Sequence, residues 1–269
     1  MDKLDNQFIG LITDFGARGQ HYVASMKGIV LNINPKANII DIAHSITPFS
    51  IIEAIYITKS TYSLYPKKTI FIIVVDPGVG SSREIILIRT KSGYFFIGPN
   101  NGIFTNVFDS SEISKCIHIK NEQYFSIPVS KTFHGRDIMA PVGAYLSKGV
   151  NIENFGSVFP IAKLIDYPIE LKKVSDNEIR CTIQYVDEFG NLITNIKENF
   201  VSFKEGAEMA IRTREQKIRG KFVKFFEEGF VNSPLFIVGS SGFLEISKNQ
   251  GNAASELGLK VGDVITIEL

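Results

Sequence analysis

The sequence has no tryptophan, two cysteines and four methionines in 269 residues. Cys116 and Cys181 stand far apart and match no metal-ligand or redox spacing. Each is flanked by apolar residues, so both read as buried free thiols rather than a disulfide. Neither sign of charge is in excess: 29 basic against 28 acidic residues leave a net charge of +1. That excludes the basic field of a nucleic-acid binder and a polybasic membrane anchor. No apolar run approaches the ~18 residues of a membrane span. The charged start, MDKLDNQ, lacks the apolar stretch of a signal peptide. The cytoplasm is therefore the expected compartment. HExxH, CxxC, GxxxxGK(S/T) and GxGxxG are all missing, which removes support for zinc peptidase, redox, P-loop and dinucleotide-binding readings.

What is present is ordinary in amount and informative in order. The hydrophobic fraction is 44% and the charged fraction 21%, as in soluble globular proteins. The stretch Thr69–Arg83, TIFIIVVDPGVGSSR, opens with a continuous β-branched run that suits a strand buried on both faces. It stops at Asp76-Pro77, because proline fixes φ and cannot donate to a ladder. Phe8–Thr13 is a similar run and ends in Asp14-Phe15-Gly16. Between them the pattern predicts a helix from about Gln20 to Asn34, with Tyr22, Met26, Ile29 or Val30 and Ile33 facing a sheet. A strand follows at Asn38–Ala43, then a helix opened by the capping pattern Ser50-Ile51-Ile52-Glu53. Alternating strands and helices predict a parallel sheet. A further strand covers Tyr94–Ile97, and a helix is expected around Met139–Leu146 with Pro141 in its first turn.

The character of the chain changes after about Asp166. Short β-like runs at 179–186, 192–196, 208–212, 235–238, 244–247 and 264–268 alternate with the turn clusters DEFGN, GSSG and KVGD. They predict a small barrel or sandwich. The expected fold is α/β: an N-terminal α/β domain with a mainly parallel sheet (1–165), a linker (166–175) and a smaller all-β domain (176–269).

Polar residues gather at the predicted strand ends. Asp14 and Asp76 each follow an apolar run and precede a glycine, and Asn100-Asn101 follow a third. In open α/β sheets such carboxyl ends line the ligand crevice. A carboxylate such as Asp14 can accept two hydroxyl hydrogen bonds, as from a ribose. Phe133-His134-Gly135-Arg136-Asp137 adds a ring that titrates near neutrality, and Arg83 lies within reach of the Asp76 loop.

Taken in order, TDFG (13–16), VDPGVGSSR (75–83), GPNNG (98–102), FHGRD (133–137), DEFGNLITNI (187–196) and GSSGFLEISKNQGNA (239–253) resemble the S-adenosylmethionine hydroxide adenosyltransferases. These are adenosine-forming S-adenosylmethionine hydrolases, related to the fluorinases and chlorinases. The resemblance spans nearly the whole chain. It implies a C-terminal domain that is barrel-like and a homotrimer with sites between subunits. It implies hydrolysis of S-adenosyl-L-methionine to adenosine and L-methionine, with no metal or other cofactor. The implied catalytic set is Asp76, Arg83 and His134. Asp14 is the implied ribose acid and Phe49 the aromatic beside the substrate. Asp187 and Ser240 are implied to hold the methionine amino group, Asn191 to contact adenine, and Gln250 to meet the adenine edge through its backbone. The halogenases are expected to carry tyrosine in place of Asp76 and a Tyr-Ser pair in place of His134-Gly135. A carboxylate would repel a halide whose desolvation is already costly, which favours water as nucleophile. The rival readings are a non-catalytic S-adenosylmethionine or adenosine binder and, behind it, a halogenase.

Overall fold

In the computed structural model, residues 8–213, 216–231 and 233–269 are described; the charged start read above lies outside them. The chain divides into two units, one ending at Tyr167 and the next beginning at Pro168.

The first unit carries β1 (Phe8–Thr13), α1 (Gln20–Ile33), β2 (Asn38–Ala43), α2 (Ile51–Thr61), β3 (Ile70–Val74), β4 (Ile85–Thr90), β5 (Phe95–Pro99), α3 (Ile103–Val107), β6 (Ile113–Ile119), α4 (Ala140–Ser147) and β7 (Gly156–Val158). Its sheet runs in the order β2-β1-β3-β5-β4-β6-β7. The β2-β1-β3-β5 half is parallel, as the alternation of strand and helix predicts. β4, β6 and β7 add antiparallel pairings at the other end. Strand β3 is buried along its whole length. Ile70, Ile72 and Val74 join the core beneath α1 and α4, while Phe71 meets Tyr62, Tyr65 and Phe96 on the opposite face.

The helices follow from capping and periodicity. The Ser50 hydroxyl accepts from the Glu53 amide and caps α2. The Glu53 carboxylate reaches past Ser50 and accepts from Thr47 N–H at 2.8 Å. In α1, Val23, Met26 and Val30 are the buried residues. Tyr22 is exposed at 44% instead of facing the sheet. It packs edge-on against Phe133 and beside Phe15, in an aromatic group just past the carboxyl end of β1. Pro141 sits in the first turn of α4, and a turn of π-helix, Gly135–Met139, leads into it.

The second unit contains β8 (Leu171–Ser175), β9 (Glu178–Val186), β10 (Leu192–Lys197), β11 (Glu208–Arg212), β12 (Lys217–Phe222), β13 (Pro234–Val238), β14 (Phe243–Lys248), α5 (Ala253–Leu257) and β15 (Val264–Glu268). Its strands run β10-β14-β13-β12-β11-β15-β9, and β9 pairs back onto β10, so seven strands close into a barrel. Closure leaves no free edge among those seven. Alternate residues fill the interior, among them Ile183, Ile211, Phe236, Leu244, Ile246 and Ile267. β8 pairs outside the ring with β9. Half of the stretch read as linker is thus strand. All five β8 residues are exposed, so its sequence has no core-facing alternation, and backbone pairing to β9 holds it, with Lys173 and Ser175 bonding Asp176 and Asn177 in the turn that follows. Cys116 and Cys181 are free and buried, as their apolar neighbours suggest. Burial pushes the Cys116 thiol up to about 12.

Phe236 is fully buried at the barrel centre. Phe236→Ala should destabilise the protein by about 3–5 kcal/mol, through lost transfer energy and the cavity left behind. Denaturant unfolding would read this as a lower midpoint; an unchanged midpoint would contradict the closed-barrel core.

Candidate active site

The chain leaves β1 for β2 on one side and then returns to place β3 on the other, so the β1/β3 boundary is the switch point of the sheet. Ligand crevices form outside the carboxyl ends of strands at such a point. Thr13 and Val74 are register partners, so Asp14 and Asp76 emerge from neighbouring strands at one edge. Both line a cavity of about 230 Å³, with Phe15, Phe49, Phe133 and His134 among its walls.

Asp76 and Arg83 pair bidentately: Nε donates to Oδ1 at 2.7 Å, and Nη2 donates to Oδ2. The two side chains are only 6% and 10% exposed. Arg83 Nη2 also reaches His134 Nδ1 at 3.0 Å. A guanidinium only donates, so Nδ1 must accept, which makes the imidazole neutral with its hydrogen on Nε2. Burial, and then the Arg83 charge, push the His134 pKa below its ordinary 6.5, against the pull of Asp76 and Asp137. The trio is therefore a buried ion pair plus a neutral ring. Gly80 holds the loop that delivers Arg83. Its φ is +79°, and a Cβ there would lie 2.3 Å from the carbonyl oxygen of Lys131, in the segment that leads to His134.

Asp14 Oδ2 accepts from the Phe49 amide at 2.8 Å. Burial raises the Asp14 pKa, the Phe49 amide opposes this, and the Asp76 charge adds to the rise. Phe49 itself is 67% exposed and has φ +70°, an unusual conformation for an aromatic residue. The other expected participants serve the scaffold. Asn101 donates to the Val75 carbonyl at 2.9 Å, and buried Asn100 ties down Glu84, Lys163 and Ile165. Arg136 and buried Asp137 pair with each other, and Asp137 accepts from Ser130 N–H. Phe15, Val79, Thr132 and Phe133 also line the cavity; the motifs 13–16, 75–83 and 133–137 contain three of them, but nothing in the sequence assigned them a role at the site.

In the barrel unit, Asp187 Oδ1 accepts the amides of Phe189 and Asn191, both at 2.9 Å, and its Oδ2 accepts from Asn191 Nδ2 at 2.8 Å. The acid thus shapes its own turn. Asn191 and Gln250 line a second cavity of about 560 Å³, with Phe189, Phe226 and Asn252. Ala254 N–H donates to the Gly190 carbonyl, which holds the two loops together. Gln250 adopts φ +58°. Ser240 is exposed on the GSSG turn. Beyond that turn, the Glu245 carboxylate presses against Gly239, leaving no room for a Cβ there. Burial, and then the Asp187 charge, push Glu245 up to about 7. Among the described residues no cluster of three or more His, Cys, Asp or Glu could hold a metal, and no helix is long and apolar enough to cross a membrane.

Fold and site define an α/β unit with a small-ligand crevice at its switch point, followed by a closed β-barrel unit with a crevice of its own. The model of the SAM hydroxide adenosyltransferase N-terminal domain matches residues 9–156, and that of the C-terminal domain matches residues 181–266. The chain belongs to this family. It is 40% identical to the (R)-S-adenosyl-L-methionine hydrolase of Methanocaldococcus jannaschii, over 99% of this chain and 97% of that one. The crystal structure of an uncharacterized conserved protein from Thermotoga maritima superposes with a TM-score of 0.90 at 34% identity, covering 97% of this chain and all of that one. The fluorinase of Actinoplanes sp. matches at 23% identity over 97% of both chains.

A group whose folded pKa is raised favours folding below its unfolded pKa, and this contribution is lost as pH rises through the folded value. For Glu245 that window runs from its ordinary 4.5 to about 7. Glu245→Gln should therefore raise the melting midpoint at about pH 8 and leave it nearly unchanged at about pH 4. Equal midpoints for the two proteins at both pH values would refute the burial of this acid.

Proposed function

We propose that this protein hydrolyses S-adenosyl-L-methionine to adenosine and L-methionine, by in-line attack of a water at ribose C5′. The observation that carries this reading is the Asp76–Arg83–His134 trio, of which Asp76 and His134 line the switch-point crevice. The sulfonium makes C5′ electrophilic and departs as a neutral thioether, so the leaving group needs no acid. The protein must orient the C–S bond and accept one proton. Nδ1 of His134 is occupied by Arg83, and Nε2 carries a hydrogen. Asp76 keeps lone pairs beyond those given to Arg83, so it is the acceptor. Nε2–H of His134 then donates to the attacking oxygen and aims it. Arg83 is neutralised by Asp76, so its part is to fix the other two. The free lone pairs of Asp76 can accept from a water but offer a desolvated halide no donor, which favours water as the nucleophile.

Asp14, with one oxygen anchored by Phe49 N–H, offers its remaining lone pairs to the ribose hydroxyls. Phe49 packs beside the substrate. Asn191 has given Nδ2 to Asp187, so it presents Oδ1, which suits the exocyclic amino group of adenine. Gln250 meets the adenine edge through its backbone. Asp187 and Ser240 hold the α-ammonium group. We further propose a cytoplasmic homotrimer, in which the crevice of one subunit's α/β unit faces the barrel crevice of the next. The Methanocaldococcus relative is named for the (R) compound. A sulfonium sulfur is pyramidal and stereogenic, so the same epimer is proposed as substrate here.

Product chromatography with each sulfonium epimer, in halide-free and then halide-containing buffer, tests the reading. Adenosine plus methionine in both buffers is expected, from the (R) epimer in preference. A 5′-halo-adenosine appearing only with halide would overturn the role of Asp76. Bound ligand without any turnover would make the protein a binder. His134→Ala and Asp76→Asn should each lower kcat by ~10²–10⁴-fold, with adenosine affinity little changed. Unaltered turnover in either variant removes that residue from the mechanism, and a fully active monomer would refute the trimer.

Protonating His134 removes the acceptor for Arg83, so activity should fall as pH drops through its folded pKa. The acid limb of kcat/KM should accordingly lie below the ordinary 6.5. A limb at or above that value would contradict the neutral-ring assignment.

A further inference from the structure

A second polar chain runs from Thr13 at the end of β1 to Lys27 on α1, and Lys27, Asp41 and His44 line a cavity of their own of about 530 Å³. Thr13 Oγ1 lies 3.0 Å from His44 Nδ1, His44 Nε2 lies 3.0 Å from Asp41 Oδ1, and Lys27 Nζ lies 2.6 Å from Asp41 Oδ2. Hydroxyl, imidazole and carboxylate in series suggest a nucleophilic triad, but Thr13 is fully buried in β1, where no substrate can meet its hydroxyl. An ionised Asp41 accepts from Nε2–H, and in the neutral ring the Nδ1 lone pair then accepts the Thr13 hydroxyl hydrogen. The Thr13 oxygen in turn accepts from Phe15 N–H at 3.4 Å.

The surrounding contacts show what this chain is attached to. The Gly16 amide donates to the His44 carbonyl at 2.6 Å. The Phe49 amide donates to Asp14 Oδ2 at 2.8 Å. Residues 13–16 are therefore fastened to residues 44–49 at three points, with Asp14 lying between the outer two. Asp14 is the last acid before the loop turns away from β1, and no helix or strand residue follows it directly to fix its direction.

We infer that His44, oriented by Asp41 and Lys27, is a positioning residue that aims the Asp14 carboxylate at the ligand's vicinal hydroxyls. The inference rests on the reading of Asp14 as the ribose acid. Removing the latch leaves the crevice in place but lets Asp14 turn, so the loss should be confined to ligands that carry those hydroxyls.

Calorimetric binding of adenosine and of 2′,3′-dideoxyadenosine separates the possibilities. The wild-type protein should prefer adenosine by roughly tenfold or more, as expected for hydrogen bonds to a charged acceptor. His44→Ala should lose most of that preference while its affinity for the dideoxynucleoside stays within about twofold. His44→Asn, whose side-chain oxygen can replace Nδ1 as acceptor, should restore part of it. Thr13→Val replaces the hydroxyl by a methyl group and should move the preference in the same direction as His44→Ala, which keeps the test open should that variant fail to fold. Equal loss of affinity for both nucleosides, or a preference retained in full in both variants, overturns the inference. A wild-type protein without any preference overturns the ribose reading of Asp14 itself, and this inference with it.

Discussion

A guanidinium has five donors and no acceptor, and the Arg83 side chain is almost wholly enclosed. It must therefore find acceptors inside the protein, because an unpaired buried charge is among the costliest defects a fold can carry. Asp76 supplies two oxygens and His134 supplies Nδ1. That requirement binds the loop after β3 to the segment before α4. It also sets which His134 nitrogen carries hydrogen and which lone pairs of Asp76 stay free. Gly80, pressed against the Lys131 carbonyl, is the backbone side of the same constraint.

The charges of the crevice suit the chemistry proposed for it. Asp76 and Arg83 cancel, His134 is neutral, and Asp14 adds one negative charge. A cationic sulfonium ligand meets complementary charge there, whereas a neutral nucleoside product does not. The attraction thus weakens when the C–S bond breaks, which assists release. The Asp76 charge also opposes the ionisation of Asp14, and a bound cation relieves that repulsion. The Thr13–His44–Asp41–Lys27 chain is the counterpart of the Arg83 cluster on the β1 side. In each case a histidine, a carboxylate and a cation are joined in series: Asp76–Arg83–His134 beside β3 and His44–Asp41–Lys27 beside β1.

Much of the fold was legible because burial on both faces leaves a plain mark. β1, β2, β11 and β15 fall where the apolar runs placed them, and Pro77 and Gly16 mark where two central strands give way to loops. Other strands escaped notice for separate reasons. Ile85–Thr90 follows the Asp76 loop without a helix between, so alternation did not suggest it. Lys217–Phe222 carries three basic residues and a glycine, and it alternates exposed with half-buried positions, none of them fully buried. Leu171–Ser175 is exposed throughout and is held by its backbone. Tyr22 matched the helical spacing of core residues yet packs with Phe15 and Phe133, because aromatic neighbours from two other segments meet it there.

By itself the sequence determined where chain direction changes, which acids stand at those changes and which motifs occur in order. These are local matters of φ restriction, apolar periodicity and residue type. Only the tertiary structure decided which polar groups face one another. Asp14 and Asp76 are adjacent because β1 and β3 pair in register across the switch point. Arg136 and Asp137, as charged as any residues nearby, were withdrawn into the scaffold by their own ion pair. His44, with no telling neighbour in sequence, was placed behind Asp14. Hydrogen bonds depend on distances of about 3 Å between groups far apart in the chain, and sequence spacing carries no measure of such distances.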